Sequence, residues 1–261
     1  MQDARRAAPS ASVSGGMDAE RRSAVWVGVL WITATAFPAA SAVPWAALDR
    51  DRGILVNAAT HKGDLIAWLL LNVVEVLSAA GVAVMLYPIL ARAADTSVQK
   101  GMAVWYLGSR IAESGIYTVA IVATWAFLPL SRAFAASGSP DASHFQTTGE
   151  LLKTTQDLGL ALAQTVFAVG AAMMYTLLIR SRLVPRWLSL WGLIAAPLFV
   201  IGSLSLLWTG NPNSALANVC FAPMGLQEMV IAMWLIVKGF NPAALAKRSG
   251  ADEGALEIAT R

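Results

Sequence analysis

Four ionisable side chains lie inside long apolar segments of this sequence, at depths where a charged group is costly and usually functional. They are Glu75, Arg110, Glu113 and Glu228. Such groups can bind a charged ligand, relay protons, act as general acid or base, or pair with one another. One guanidinium can pair with one or two carboxylates. At least one of the three glutamates is therefore expected to be protonated, unless a cation or a ligand neutralises it.

Further polar side chains accompany these four at helical spacing. Arg110 and Glu113 are flanked on each side by a tyrosine four residues away, which places all of them on one stripe of a helix. With a rise of ~1.5 Å per residue, Glu75, Glu113 and Gln164 fall near one depth, and Glu228 falls close to it. The sequence therefore predicts a single buried polar cluster. Its supporting members are Asn72, Tyr106, Tyr117, Asp157, Gln164 and Gln227.

Six apolar stretches must position these residues, and each reaches the ~20 residues that a membrane-spanning helix needs. Hydrophobic residues make up 57% of the chain and charged residues 13%, which excludes a soluble globular domain and a disordered chain. None of the stretches has the strict alternation of a barrel strand. The predicted fold is all-α, a polytopic membrane helical bundle of about six transmembrane helices. The stretches cover residues 24–48, 64–91, 101–130, 151–178, 183–208 and 214–240.

The domain organisation follows from these stretches. We predict a disordered cytoplasmic tail over residues 1–22, a six-helix transmembrane domain over 23–240 and a mobile cytoplasmic tail over 241–261. Residues 131–150 are expected to form an irregular loop with room for one short helix. Most of the 19 Lys and Arg residues fall on the side that carries both termini, so both termini are predicted to be cytoplasmic.

The first stretch has an alternative interpretation. Residues 17–42 begin with basic residues, continue with an apolar core and end in small residues, as a secretory signal does. Cleavage after Ala42 would leave five spans, with the new N-terminus outside. We favour retention of the stretch, which leaves six spans.

The remaining features limit the possible partners. The two histidines, His61 and His144, fall in loops without a nearby cysteine, so no metal or other cofactor is predicted. The lone Cys220 cannot form an intramolecular disulfide. The net charge of +3 is attributed to orientation in an anionic bilayer and not to nucleic acid. The expected partners are the lipid bilayer and a small-molecule or lipid ligand, and the oligomeric state is left open.

Three segments resemble a known family. They are residues 178–188 (LIRSRLVPRWL) with 192–195, the Arg-x-x-Glu of residues 110–113, and residues 225–228 with 234–239. Together they resemble a bacterial multi-pass membrane family known only as a domain of unknown function, the DUF4386-type proteins, over residues 24–240. The resemblance implies six or seven membrane helices in the bacterial cytoplasmic membrane. It maps the family's polar motifs onto Arg110, Glu113 and Glu228. Members often carry a histidine where this chain has Gly170, which puts a shared catalytic role in doubt.

Three functions are compatible with the buried cluster, and we rank them in this order. The first is a binding or transport protein with a cavity lined by the four ionisable residues. The second is a structural or partner protein in which Arg–Glu pairs only lock the bundle. The third is an intramembrane lipid-modifying enzyme with a glutamate as acid or base. An enzyme ranks last because the sequence has no GxSxG, HExxH or phosphate-loop motif.

Overall fold

The computed structural model describes residues 10–50, 53–138, 143–209 and 214–245. Within these residues the regular structure is entirely helical, which confirms the predicted all-α class. The described residues form eight helices: α1 (Ser10–Leu48), α2 (Ile54–Thr60), α3 (Lys62–Arg92), α4 (Ser97–Trp125), α5 (Phe127–Ser137), α6 (Ser143–Ser181), α7 (Arg186–Thr209) and α8 (Ala215–Val237).

Six helical segments of the described chain are long and apolar enough to cross a membrane, with mean hydropathies between 1.5 and 2.2. Large apolar side chains on their outward faces are exposed, among them Leu77, Val122 and Val219. Such a surface is stable only in lipid. The chain is therefore a multi-pass helical membrane bundle, as predicted. The segments are Ala19–Leu48, Lys62–Arg92, Ser97–Ser137, Ser143–Ser181, Arg186–Thr209 and Ala215–Val237.

The six long helices form a closed ring in chain order. Each of α1, α3, α4, α6, α7 and α8 packs mainly on the long helices before and after it, and α8 packs back on α1. Small residues allow the closest approaches. A Cβ atom added to Gly28 of α1 would lie 2.7 Å from the carbonyl oxygen of Ala232 and 2.7 Å from Cγ1 of Ile236, both on α8. Gly28 is thus part of the closure of the ring.

The ring has two distinct ends. We call the end where α1 begins and α8 ends the tail end, and the opposite end, where α2 packs on α5, the cap end. At the tail end, Arg21 donates hydrogen bonds to the carbonyl oxygens of Leu235 (3.1 Å) and Ile236 (2.5 Å). At the cap end, the backbone N–H of Ala59 donates to Ser131 Oγ over 3.0 Å. These bonds tie elements that are distant in sequence.

Two apolar cores fill the two ends of the ring. The larger core lies at the tail end and contains the start of α1 and the ends of α3, α6 and α8, with Leu86, Leu178 and Leu235 among its members. The smaller core lies at the cap end and includes Leu65, Trp68 and residues from α4 and α5. The buried charged residues lie between these two cores.

The segment predicted to be an irregular loop is largely helical. Helix α5 continues to Ser137, ends at Gly138 with a left-handed φ of 62°, and α6 begins at Ser143, while residues 139–142 lie outside the described residues. Contacts that are invisible in the sequence stabilise these helices, since the rings of Phe134 and Phe145 lie 5.8 Å apart.

The described residues extend into both segments predicted to be tails. Helix α1 begins at Ser10, inside the predicted N-terminal tail. The chain after α8 is held by the Asn241 N–H, which donates to the carbonyl oxygen of Leu183 over 2.8 Å. Residues 1–9 and 246–261 lie outside the described residues, so the predicted disorder stays a prediction there.

Candidate functional site

A cavity of about 500 Å³ lies in the middle of the ring and is lined by residues from all six long helices. This volume falls within the usual range of small-molecule pockets. We call it the central cavity. Its lining consists of Ala34, Thr35, Pro38, Ala39, Glu75, Arg110, Glu113, Tyr117, Ala163, Gln164, Phe167, Phe199, Asn218, Phe221, Gly225 and Glu228.

All four ionisable residues singled out in the sequence line this cavity. Glu75 comes from α3, Arg110 and Glu113 from α4, and Glu228 from α8. The four groups are close enough to interact electrostatically. The structure therefore brings three carboxyl groups and one guanidinium into the lining of one cavity, and we call these four residues the acidic wall.

Arg110 and Glu113 form an ion pair, with Arg110 Nη1 2.7 Å from Glu113 Oε2. Their side chains are 9% and 11% exposed, so water screens the pair little. Both residues belong to α4, three positions apart. The pair therefore joins no two helices and cannot by itself fix the register of the bundle.

The rest of the Arg110 guanidinium faces an aromatic ring. Its Cζ lies 4.9 Å from the centroid of Phe167, which belongs to α6. Arg110 Nε is buried and has no hydrogen-bond partner among the described residues. An arginine has five N–H donors, so this guanidinium keeps donor capacity beyond its contact with Glu113.

Glu228 is the ionisable residue that does join two helices. Its Oε1 accepts a hydrogen bond from Trp31 Nε1 over 3.0 Å, and its Oε2 accepts one from Thr35 Oγ1 over 2.8 Å. Both donors belong to α1. Sequence reasoning missed Trp31 and Thr35, although their spacing of four residues places two donors on one face of an apolar helix.

Glu75 has the least support of the three glutamates. Its Oε2 is buried and accepts no hydrogen bond from any of the described residues. A buried polar atom without a partner is costly and is uncommon in folded proteins. The unsatisfied oxygen therefore marks Glu75 as a group able to accept a hydrogen bond from a bound molecule.

Three phenylalanines from three helices give the central cavity an apolar, aromatic surface as well. The ring centroids of Phe167 and Phe199 lie 5.2 Å apart, and those of Phe199 and Phe221 lie 4.6 Å apart. All three line the central cavity, and we call them the aromatic wall. They were not predicted because a phenylalanine in an apolar stretch carries no signal that separates a cavity wall from a core.

Neutral hydrogen bonds, and not the Arg–Glu pair, connect several of the helices. Tyr117 donates to Asn72 Oδ1 over 2.5 Å and joins α4 to α3. Ser203 donates to Gln164 Oε1 over 3.2 Å and joins α7 to α6. Asn72 is buried behind Tyr117 and does not line the cavity, whereas Gln164 does.

Gln227 makes the most completely buried of these connections. Its Nε2 donates to the carbonyl oxygen of Leu188 over 3.0 Å, and its Oε1 accepts from the Tyr175 hydroxyl over 2.5 Å. The side chain thus joins α8 to both α7 and α6. Although Gln227 is next to Glu228 in sequence, it points into the tail-end core and away from the central cavity.

Two further predicted residues lie apart from the cavity. Tyr106 is 2% exposed and belongs to the tail-end core. Asp157 pairs with Lys153, whose Nζ lies 2.6 Å from Asp157 Oδ1. The polar group that lines the cavity is therefore smaller than the predicted cluster. Four of the predicted supporting residues lie outside the lining: Asn72, Tyr106, Asp157 and Gln227.

Gly170 also lies outside the lining of the central cavity. A Cβ atom there would clash with the side chain of Ser109 on α4. This is the position at which related sequences were expected to carry a histidine. In this chain the side chain of Ser109 occupies the space that a side chain at position 170 would need.

No metal site accompanies these groups. Among the described residues no three His, Cys, Asp or Glu side chains are grouped so that they could hold a metal ion. His61 Nδ1 lies 3.3 Å from Asp64 Oδ2, and the ring of His144 stacks near that of Phe145.

Comparison with known proteins identifies a family. The family model described as "Domain of unknown function (DUF4386)" matches residues 27–239, which contain every residue of the acidic and aromatic walls. No curated protein matches the chain, and no solved structure does.

Proposed function

The chain belongs to the DUF4386 family, and we propose that it is an integral membrane protein that binds a small organic cation in the central cavity. The observation that carries this proposal is that one cavity is lined both by the acidic wall and by the aromatic wall. A molecule with an apolar body and a cationic group would satisfy both surfaces. Its cationic group would lie against Glu75 and Glu228, and its body against the phenylalanines.

The charge balance favours a cation over an anion. Arg110 is the only basic residue among the described residues that line the cavity, and three glutamates accompany it. A bound cation would compensate the surplus carboxylate charge that Arg110 leaves uncompensated. The aromatic wall adds to this preference, because cation–π contacts contribute about 0.5–2 kcal/mol each.

The structural alternative, in which Arg–Glu pairs only lock the bundle, has weaker support. A lock must join two helices, and the Arg110–Glu113 pair lies within α4. The observed interhelical bonds of Asn72 and Gln227 are made with neutral partners. The ionisable residue that does join two helices, Glu228, is held by neutral donors and not by Arg110. The enzyme alternative retains one route, with a glutamate as acid or base, and turnover of a lipid would support it.

Transport of the bound cation is a second candidate. Pro38, Pro197 and Pro223 lie inside α1, α7 and α8, three helices that line the central cavity. A proline within a helix removes a backbone hydrogen bond and permits bending. Bending of these helices would provide the alternating access that transport requires. Binding alone requires no such motion.

The proposed orientation places the tail end in the cytoplasm of a bacterial cell, with both termini cytoplasmic and α1 retained. The distribution of basic residues supports it, because cytoplasmic loops are richer in Lys and Arg. The described residues at the tail end include Arg21, Arg22, Arg92, Lys100, Arg180, Arg182, Arg186 and Lys238, against Arg50, Lys62, Arg132 and Lys153 at the cap end.

The proposal is tested by equilibrium binding of tetraphenylphosphonium and a panel of quaternary ammonium ions to the purified protein in neutral-lipid nanodiscs. Tetraphenylborate has the same shape as tetraphenylphosphonium and the opposite charge, so it serves as a control. We expect saturable binding of at least one cation, with affinity reduced ~10-fold or more in Glu75→Gln and Glu228→Gln, since tenfold corresponds to ~1.4 kcal/mol.

Asp157→Asn is the matched control variant, because it removes a carboxylate that lies outside the cavity. Its cation affinity should equal that of the wild type. Lack of saturable binding across the panel, or equal binding of tetraphenylborate, would contradict the proposal. Flux of the bound cation into proteoliposomes would favour transport over binding alone.

A further inference from the structure

A second concave site lies at the tail end of the bundle. A groove of about 430 Å³ runs between the turn that joins α6 to α7 and the end of α8. It shares no lining residue with the central cavity. Its basic side chains are Arg182, Arg186 and Lys238, and Trp234 also lines it. We call it the basic groove.

The basic groove lies where the membrane-spanning helices end. The candidate spans end at Ser181 and Val237, and the next one begins at Arg186. The three basic residues are therefore at or next to span ends, at the depth of lipid headgroups. Trp234 is partly buried, and tryptophan prefers this same interfacial depth.

The three basic side chains are not paired with acidic groups of the described chain, although Glu20 and Lys238 both line an adjoining pocket. None of them forms an ion pair with a described residue, and the lining of the groove contains no Asp or Glu. Elsewhere at the tail end, Arg92 Nη1 lies 3.8 Å from Glu20 Oε1. All three are exposed and so able to reach an external anion.

The backbone of the groove is held in place from both sides. Asn241 binds the turn twice, with its N–H donating to the Leu183 carbonyl oxygen (2.8 Å) and its Nδ2 to that of Arg182 (3.2 Å). Leu183 and Phe240 are buried beneath it, at 1% and 6% exposure. The groove is thus a fixed feature of the fold.

Arg182 occupies a backbone conformation that favours glycine. Its φ of 55° is left-handed, and it is the one non-glycine residue with positive φ among the described residues. A side chain in this region is strained. An arginine at such a position, directed to an exposed groove with two further cations, indicates a role for its guanidinium beyond the turn itself.

From these observations we infer that the basic groove binds a phosphate group. A guanidinium binds phosphate oxygens in a bidentate manner, and the N-terminal end of α7, which begins at Arg186, adds a favourable dipole. Basic pockets between spans are known to hold anionic headgroups. In a bilayer the phosphate would belong to an anionic phospholipid, and in solution it would belong to a free phosphate compound.

Native mass spectrometry of the delipidated protein tests the inference. The protein is titrated with phosphatidylglycerol, with phosphatidylcholine as the zwitterionic control, and separately with inorganic phosphate. We expect preferential retention of phosphatidylglycerol, with affinity reduced at least tenfold in the triple variant R182Q/R186Q/K238Q. Binding of inorganic phosphate at millimolar concentration, without preferential retention of phosphatidylglycerol, would assign the groove to a soluble phosphate compound instead of a lipid.

Two further variants test whether lipid affinity depends on the groove itself or only on the positive charge of the tail end. Arg180→Gln and Lys100→Gln each remove an exposed tail-end cation that does not line the groove, and both should leave lipid affinity unchanged. Arg182→Gly should raise the melting temperature in neutral detergent while weakening binding. Equal retention of the two lipids without phosphate binding, or an equal loss in the control variants, would overturn the inference.

Discussion

Trp31 donates a hydrogen bond to Glu228 over 3.0 Å and thereby joins the first membrane-spanning helix to the last. Thr35 reinforces the junction with a second bond to the same carboxyl group, 2.8 Å long. The ring is closed at a point that also forms part of the central cavity. Glu228 therefore closes the ring of helices and also belongs to the proposed ligand site.

The first prediction concerns these two donors. Trp31→Phe removes one hydrogen bond to Glu228 and leaves Thr35 as the remaining α1 donor. We expect a loss of about 1.5–3 kcal/mol in the free energy of unfolding, the usual contribution of a hydrogen bond to a charged group. Thermal and denaturant unfolding in detergent would measure it. Trp26→Phe is the control, because Trp26 is 59% exposed; similar losses in both variants would contradict the assigned role.

The second prediction concerns the closure of the ring at Gly28. Gly28→Ala should destabilise the protein by about 1–3 kcal/mol, because the new methyl group would be forced against the backbone of Ala232. Gly108→Ala is the matched control, since a Cβ at Gly108 meets nothing within 4 Å. That variant should be neutral or slightly stabilising, as alanine favours a helix over glycine. An unaffected Gly28→Ala protein would indicate that α1 is absent from the mature bundle.

The third prediction is that Arg110 and Glu113, the two members of the ion pair, contribute unequally to stability. Arg110→Gln removes the guanidinium that faces three carboxyl groups and should cost about 3–5 kcal/mol of stability, as expected when a buried pair loses one partner. Glu113→Gln should cost less, because Arg110 still has two neighbouring glutamates. The double variant R110Q/E113Q should recover part of the loss. Equal costs for the two single variants would show that Arg110 interacts with Glu113 alone.

The fourth prediction concerns the buried bond between Tyr175 and Gln227. Tyr175→Phe leaves Gln227 Oε1 without its donor in the tail-end core, where both side chains are fully buried. The expected loss of unfolding free energy is about 1–3 kcal/mol. Since neither residue lines the central cavity, affinity for the organic cation should not change. A large drop in cation affinity at unchanged stability would argue against this separation of roles.

Several properties of this protein follow from its sequence. Six apolar stretches can satisfy their backbone hydrogen bonds in lipid only as helices, so the bundle could be predicted from composition and length. Ionisable residues within those stretches must face the bundle interior, because lipid cannot solvate them. For that reason Glu75, Arg110, Glu113 and Glu228 could be assigned to one buried site without knowledge of the fold.

Periodicity could not decide which polar residues share the cavity. Tyr106 and Tyr117 lie on one stripe of α4, yet Tyr106 is buried in the tail-end core while Tyr117 lines the central cavity. A stripe runs along the whole length of a helix, whereas the cavity occupies only the depth between the two cores. Where the cores end depends on side chains from other helices.

Only the tertiary structure decided the partners across the ring. Thr35 and Glu228 are 193 positions apart, and their contact exists because α8 packs back on α1. The aromatic wall likewise combines phenylalanines from α6, α7 and α8. A helical repeat specifies the face that a side chain occupies but not the helix that it meets, because the neighbours are set by how all six helices pack around one centre.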